Sequence, residues 1–200
     1  MQKIIFTDLD GTLTLKDTYT KFVLQNLRVG VVLKNLFTLA SMVVKHKLKI
    51  YNDDDVKMTT FKMFFEGYDR EASLDGFAET VPWNTKVMDL IEAKRKEGYK
   101  VIIVTASPDI YVKYVCNYLG YDGFISTKTV DSGRYLDGAF DGKVCNFEEK
   151  PKRILEFLTG EETEHTISYG NSSGDFAMLE FCNESYFVNK LDIRTYEKNI

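Results

Sequence analysis

The sequence predicts an α/β fold, a doubly wound parallel sheet with a helical segment inserted near its start, and three observations carry that prediction. Short apolar, β-prone runs alternate with helix-patterned segments, as expected for strands covered on both faces. Three of these runs end in polar loops, Asp8-Leu9-Asp10-Gly11-Thr12, Thr105-Ala106-Ser107 and Gly170-Asn171-Ser172. Such loops sit where open α/β sheets bind ligands, beyond the carboxyl ends of the strands. Finally, residues 15–80 separate the first strand from the next core helix, too many for a simple crossover. The expected division is therefore a core of residues 1–14 plus 81–200 and an inserted helical cap of residues 15–80.

Each element follows from its local pattern. The run from Ile4 to Thr7 is the first strand. Within the insertion, helices are expected over 19–28, 31–47, 54–66 and 70–79, with Asn52 or Asp53 capping the third. After Pro82 come a helix over 84–97, a strand ending at Thr105 and a helix over 109–119, with Ser107 as N-cap and Pro108 in its first turn. A strand over 123–126 precedes a Gly/Asp-punctuated stretch, 129–144, that reads as a hairpin or flap. A helix after Lys150, a strand ending at Tyr169, a helix after Asp175 and a strand over 185–188 complete the core.

Composition bounds the function. With 200 residues, 44% of them hydrophobic, the chain can bury one sizeable core and a small satellite. A net charge of -4 gives no basic footprint for nucleic acid. Cys116, Cys145 and Cys182 are odd in number and lack C-x-x-C spacing, which indicates neither a disulfide framework nor a zinc site. They read as buried thiols in a reducing cytoplasm, and a strand at the start of the chain leaves no signal peptide to expect. His46 and His165 are expected at the surface. Residues 29–44 are largely apolar and run into Lys45-His46-Lys47-Leu48-Lys49. They are too short and polar to span a bilayer, so a buried helix of the insertion is expected, with a helix resting on a membrane surface as the alternative.

The first loop carries the chemistry. Residues i and i+2 of an extended segment project the same way, so Asp8 and Asp10 converge beyond the strand end. Close carboxylates repel, and a divalent cation relieves that repulsion; hard oxygen ligands suit magnesium. A lone D-x-D-G would be an ordinary Asp-Gly turn. Here, D-x-D-G-T-L-T after an apolar strand resembles the first motif of the haloacid dehalogenase (HAD) superfamily of phosphohydrolases, and three more motifs follow in order. Thr105 ends the second strand and, with Ala106, is assigned to bind phosphate, Ser107 being the alternative. Cys145-Asn146-Phe147-Glu148-Glu149-Lys150 resembles the C-x-[GN]-x-x-K pattern of the phosphoserine-phosphatase-like branch, subfamily IB, and supplies a lysine. Gly170-Asn171-Ser172-Ser173-Gly174-Asp175 returns ligands to the metal, with Asn171 where the commoner motif has an acid.

The resemblance implies a Rossmann-like core and phosphoryl transfer to an aspartate, then to water. It casts Asp8 as nucleophile and Asp10 as general acid and base, with Mg2+ held by Asp8, Asp10, Asn171 and Asp175 and phosphate held by Thr105, Ala106 and Lys150. It also implies substrate contacts at Asp17 and Lys62, positions where phosphoserine phosphatases carry a longer acid and an Arg. A Lys lacks the bidentate fork of Arg, which disfavours phosphoserine itself and leaves a small soluble phosphate ester as the expected substrate. One alternative is a lipid phosphate, as in the phosphatidylglycerophosphate phosphatases of this branch, met at a membrane through Val29 to Lys49. The other is a catalytically weak phosphate-binding regulatory module, motivated by Asn171.

Overall fold

A computed structural model describes residues 1–70, 72, 74, 76–160, 162–189 and 192–198. The chain divides into two compact units, one made of Met1–Thr18, Leu74–Thr127 and Cys145–Ile200, the other of Tyr19–Ser73 and Lys128–Val144.

The first unit is built on a six-stranded sheet of order β3-β2-β1-β4-β5-β6. Its strands are β1 (Gln2–Thr7), β2 (Tyr99–Pro108), β3 (Gly123–Thr127), β4 (Thr163–Gly170), β5 (Glu184–Val188) and β6 (Ile193–Thr195). All pairings are parallel except β5 with β6. The chain steps from β1 to β2 and β3, then returns to β4 on the other side of β1, so the switch point of this doubly wound sheet lies between β1 and β4. Strand interiors are continuously apolar because both faces are covered: Ile4, Ile5 and Phe6 in β1 and Val101 to Val104 in β2 are all buried. On one face Ile4, Phe6, Ile102, Val104 and Ile125 pack with Ile154, Met178, Cys145 and Cys182.

Four helices belong to this unit: α5 (Thr85–Lys96), α6 (Asp109–Leu119), α7 (Glu149–Phe157) and α8 (Phe176–Phe181). β2 runs further than the sequence suggests, so Pro108 rather than Ser107 is the N-cap of α6 and Ser107 stays extended. Lys150 lies inside the first turn of α7, and β6 is an edge strand that the sequence pattern did not reveal. His165 is only half-exposed, its Nδ1 3.1 Å from the Tyr99 hydroxyl, whereas His46 is exposed. All three cysteines are free and buried.

In the second unit, α1 (Thr18–Gln25) begins at the boundary and is followed by α2 (Val29–Lys34), α3 (Leu36–Lys47) and α4 (Asp53–Phe65). The single helix expected over 31–47 is interrupted at Asn35, whose side-chain Nδ2 donates to the Val31 carbonyl at 2.9 Å, a local bond that competes with helix continuation. Asn52 caps α4 reciprocally with Asp55: each side chain accepts the other's backbone N–H, at 2.8 and 2.9 Å. Asn52→Ala should therefore lower stability by about 1 kcal/mol, measured as a shift of the urea unfolding midpoint.

The structure corrects the sequence-based partition. Residues 128–144 group with the insertion because Leu136 and Phe140 supply apolar surface that its helices need: the ring centroids of Phe140 and Phe61 are 4.5 Å apart, Phe61 stacks on Phe65, and Phe65 stacks on Phe22. Backbone bonds tie the same stretch down, from Gly67 N–H to the Leu136 carbonyl at 2.7 Å and from Arg70 N–H to the Arg134 carbonyl at 2.8 Å. That pairing holds Asp69 and takes Arg70 out of the helix expected over 70–79; the described residues show a short 3-10 turn at Ala78–Thr80, and residues 71, 73 and 75 of that stretch lie outside the described residues. The buried helix expected over 29–44 is also corrected: α2 has no buried residue and α3 buries only Met42. No helix among the described residues is long and apolar enough to cross a membrane.

Candidate active site

The loops after β1, β2 and β4 and the first turn of α7 bring one cluster of polar side chains together at the switch point. Asp8, 6% exposed, is its centre. Its Oδ1 accepts from Lys150 Nζ at 2.8 Å and its Oδ2 from the Thr12 hydroxyl at 3.1 Å. Lys150 also donates to the Val104 carbonyl at 2.9 Å and to Asp175 Oδ1 at 2.5 Å. An ammonium has three protons, and all three are taken within the protein. Asp175 commits its other oxygen to Asn171 N–H and Ser172 N–H, both at 3.0 Å, and to the Ser172 hydroxyl at 2.9 Å. It thus ties the loop after β4 to Lys150. Gly170 makes this possible, because a Cβ there would lie 2.5 Å from the Cβ of Asp175.

Asp10, two residues on, faces a separate set of donors. The Thr18 N–H and hydroxyl each reach Oδ1 at 2.6 Å, and the Ser107 hydroxyl reaches Oδ2 at 2.6 Å. The Thr18 hydroxyl also lies 3.0 Å from the buried Tyr111 hydroxyl. Ser107 reaches Asp10 because it is held in β2, and its N–H donates to Thr105 Oγ1 at 3.1 Å. Neither Thr18 nor the Ser107 contact was legible beforehand; a hydroxyl eight residues after an acid has no sequence signature.

Electrostatics separate the carboxylates. Burial, then the neighbouring Asp175, push Asp8 up to about 7, against the pull of Lys150. Burial, then the Asp17 charge, raise Asp10, while the Ser107 and Thr18 hydrogen bonds restrain the rise. For Asp175, burial is outweighed by Lys150 and by the loop donors, and its carboxyl is held below the ordinary range. Burial opposes the charge on Lys150, but Asp175 and Asp8 hold its ammonium well above the ordinary lysine range.

The remaining expected site residues are more dispersed. Thr105 is buried, and the Ala106 carbonyl accepts from the Thr127 hydroxyl at 2.8 Å. Asp17 is exposed in the first unit and Lys62 is exposed on α4 of the second.

The donor set suits a hard cation. The terminal amide atom of Asn171 nearest the first loop lies 3.1 Å from the Asp10 carbonyl oxygen, 3.2 Å from Thr12 Oγ1 and 3.3 Å from Asp8 Oδ2. As a nitrogen it donates to this ring of acceptors; as an oxygen it joins them in a group that a cation would hold together. Among the described residues no three His, Cys, Asp or Glu side chains gather to hold a metal, so this set rests on one carboxylate, one backbone carbonyl and one amide. Gly11 keeps the approach open: its φ is +86°, and a Cβ there would come within 2.2 Å of the Asn171 amide.

Residues 5–180 match the family model of haloacid dehalogenase-like hydrolases. The chain belongs to that family. It is 31% identical over 195 residues to Protein CicA of Caulobacter vibrioides, across 90% of this chain and 83% of that protein. A protein of unknown function from Bordetella pertussis Tohama I has the same fold, with a TM-score of 0.76 at 16% identity over 92% of this chain and 89% of its own. A phosphoserine phosphatase in its apo form and another solved as a phospho-aspartyl intermediate analogue superpose with TM-scores of 0.64 and 0.65, at 17% and 16% identity, each over 92% of this chain and 85% of its own. In this haloacid dehalogenase-like hydrolase Asp8, Lys150 and Asp175 are joined by hydrogen bonds beside the carboxyl ends of β1 and β4, with Asn171 on the loop that Asp175 holds.

Proposed function

We propose that this chain is a magnesium-dependent phosphomonoester hydrolase that works through an aspartyl-phosphate on Asp8, with a small soluble phosphate ester as substrate. The observation that supports this reading best is the placement of Asp8, buried at the carboxyl end of β1, fixed by Lys150 and two residues before an acid with a different environment. Asp8 attacks phosphorus, forming a P–O bond as the bond to the leaving alcohol breaks, and Asp10 gives that alcohol its proton. Water then attacks phosphorus, Asp10 takes its proton, and the bond to Asp8 breaks to release phosphate. Burial, then the Asp17 charge, raise the Asp10 carboxyl above its ordinary range, which favours the proton that the first step needs. Mg2+ bound by Asp8, the Asp10 carbonyl and Asn171 would screen nucleophile from phosphate and offset charge on the transferring group. Asp175, with both oxygens engaged by protein donors, shapes the loop that presents Asn171.

Thr105 and Ala106 are proposed to meet the phosphoryl oxygens. Lys150 joins them once phosphorylation of Asp8 removes the carboxylate charge it now faces. Asp17 and Lys62 are the substrate contacts that the family resemblance implies. The solved phospho-aspartyl analogue of a phosphoserine phosphatase supports the covalent route by likeness of fold. Three buried free thiols fit a reducing compartment such as the cytoplasm.

The test is hydrolysis of an aryl phosphate and a panel of phosphate monoesters by the full chain, with magnesium or with a chelator. Turnover is expected only with magnesium, and Asn171→Asp should lower the half-saturating concentration several-fold by adding charge to the ligand set. Full activity in chelator would overturn the reading, and phosphate binding without turnover would favour a regulatory module. A second expectation concerns Ser107→Ala. The lost donor stabilises ionised Asp10, so the Asp10 pKa should rise further and the pH profile of kcat/KM should move to higher pH. An unchanged profile would detach Ser107 from the chemistry.

A further inference from the structure

The helix pair α2 and α3 presents an apolar face for which the fold supplies no cover. Val29 is 75% exposed, Leu33 68% and Phe37 90%. Along α3 and its end, Leu36, Phe37, Ala40, Val43, Val44 and Leu48 recur at helical spacing and form one exposed stripe, opposite the buried Met42. The charge pattern around this stripe is one-sided. Residues 18–52 hold Lys21, Arg28, Lys34, Lys45, Lys47 and Lys49 and no Asp or Glu, in a chain whose net charge is -4. Lys34, Lys47 and Lys49 are exposed.

We propose that this face seats the protein on an anionic lipid bilayer, with α2 and α3 lying in the interface. An aliphatic and phenyl stripe beside basic side chains is the pattern of a helix that rests in the headgroup boundary, where the apolar face is buried and the lysines meet lipid phosphates. The helices are too short to cross, which confines them to the surface. A second copy of the chain is the poorer occupant. An isologous dimer on this face would bring the exposed Lys34, Lys47 and Lys49 of one copy toward those of the other, with no Asp or Glu within residues 18–52 to offset them. The inference does not rest on the catalytic reading, and its measurement does not use activity.

The experiment is co-sedimentation of the full chain with phosphatidylcholine vesicles and with vesicles in which a third of the lipid is phosphatidylglycerol. Binding to the anionic vesicles alone is expected, weakening as salt rises. Phe37→Asp and Leu33→Asp should each abolish it while thermal unfolding stays unchanged, because both side chains are exposed. Replacing Lys34, Lys47 and Lys49 together by Gln should weaken it on the order of 100-fold, at about fivefold per lysine. Asp8→Asn should bind like the wild type, so loss of the phosphatase reading would leave this one standing. A protein that stays in the supernatant with anionic vesicles overturns the proposal, as does binding that Phe37→Asp leaves intact. A dimer in solution that Phe37→Asp dissociates, without vesicle binding, would assign the face to a second copy.

Discussion

Asp8→Asn should lose essentially all phosphatase activity, at least about 10⁴-fold, and yet unfold at a higher temperature than the wild type at pH 8 in chelator. The loss follows from the nucleophile: an amide at this position cannot form the acyl phosphate. The gain follows from burial. Asp8 has a folded pKa of about 7 against an ordinary 3.8, so its ionised form is disfavoured in the folded protein. The cost is absent below pH 3.8, grows as pH rises and is complete above about 7. Asn resembles the neutral carboxyl and keeps its contacts, its oxygen accepting from Lys150 and its nitrogen donating to Thr12. The expected stabilisation at pH 8 is on the order of 3 kcal/mol, vanishing toward pH 4. Matched thermal melts of both proteins across that range decide it. Equal melting temperatures at every pH would mean that Asp8 is not the strained ionised group described above.

Much of the site was legible in sequence because its residues sit at strand ends. Ile4 to Thr7 and Val101 to Thr105 read as buried strands by their apolar runs, Thr166 to Tyr169 is placed as the strand before the fourth motif of the resemblance, and a parallel sheet delivers their following residues to one edge. Asp8, Lys150 and Asp175 accordingly meet in the structure. What sequence pattern did not give depends on contacts between distant segments. Residues 128–144 look like an appendage of the core until Phe140 is seen against Phe61 and Leu136 bonded through its backbone to Gly67 and Tyr68. The break at Asn35 and the exposure of the apolar residues after it were hidden for a related reason: helical periodicity shows that a helix has an apolar face, not that a partner covers it. Ser107 was misplaced by local propensity. Ser-Pro before a helix is a plausible cap, but β2 extends through both residues and aims the hydroxyl at Asp10.

Lys150→Met should cost more stability than any other single change in the site, about 3–5 kcal/mol near neutral pH, and abolish turnover as well. Lys150 is 1% exposed, and its ammonium makes all three of its hydrogen bonds to Asp8, Asp175 and the Val104 carbonyl. Without it two buried carboxylates face each other with no cation, and both should take up protons in the folded state. In the wild type Asp175 contributes stability that is present above its ordinary pKa of 3.8 and lost as pH falls through its depressed folded value. In the variant the sign reverses for this residue: its folded pKa moves above 3.8, so stability falls as pH rises from about 4 through that raised value. Urea unfolding at pH 5 and pH 8 should therefore show a loss that is larger at pH 8. The double variant Lys150→Met with Asp8→Asn should recover part of the loss at pH 8, because one of the two opposed charges is gone, while remaining inactive. A loss independent of pH, and unrelieved by Asp8→Asn, would instead mean that Lys150 stabilises the fold by packing its methylene stem and that the buried ion pairs contribute little.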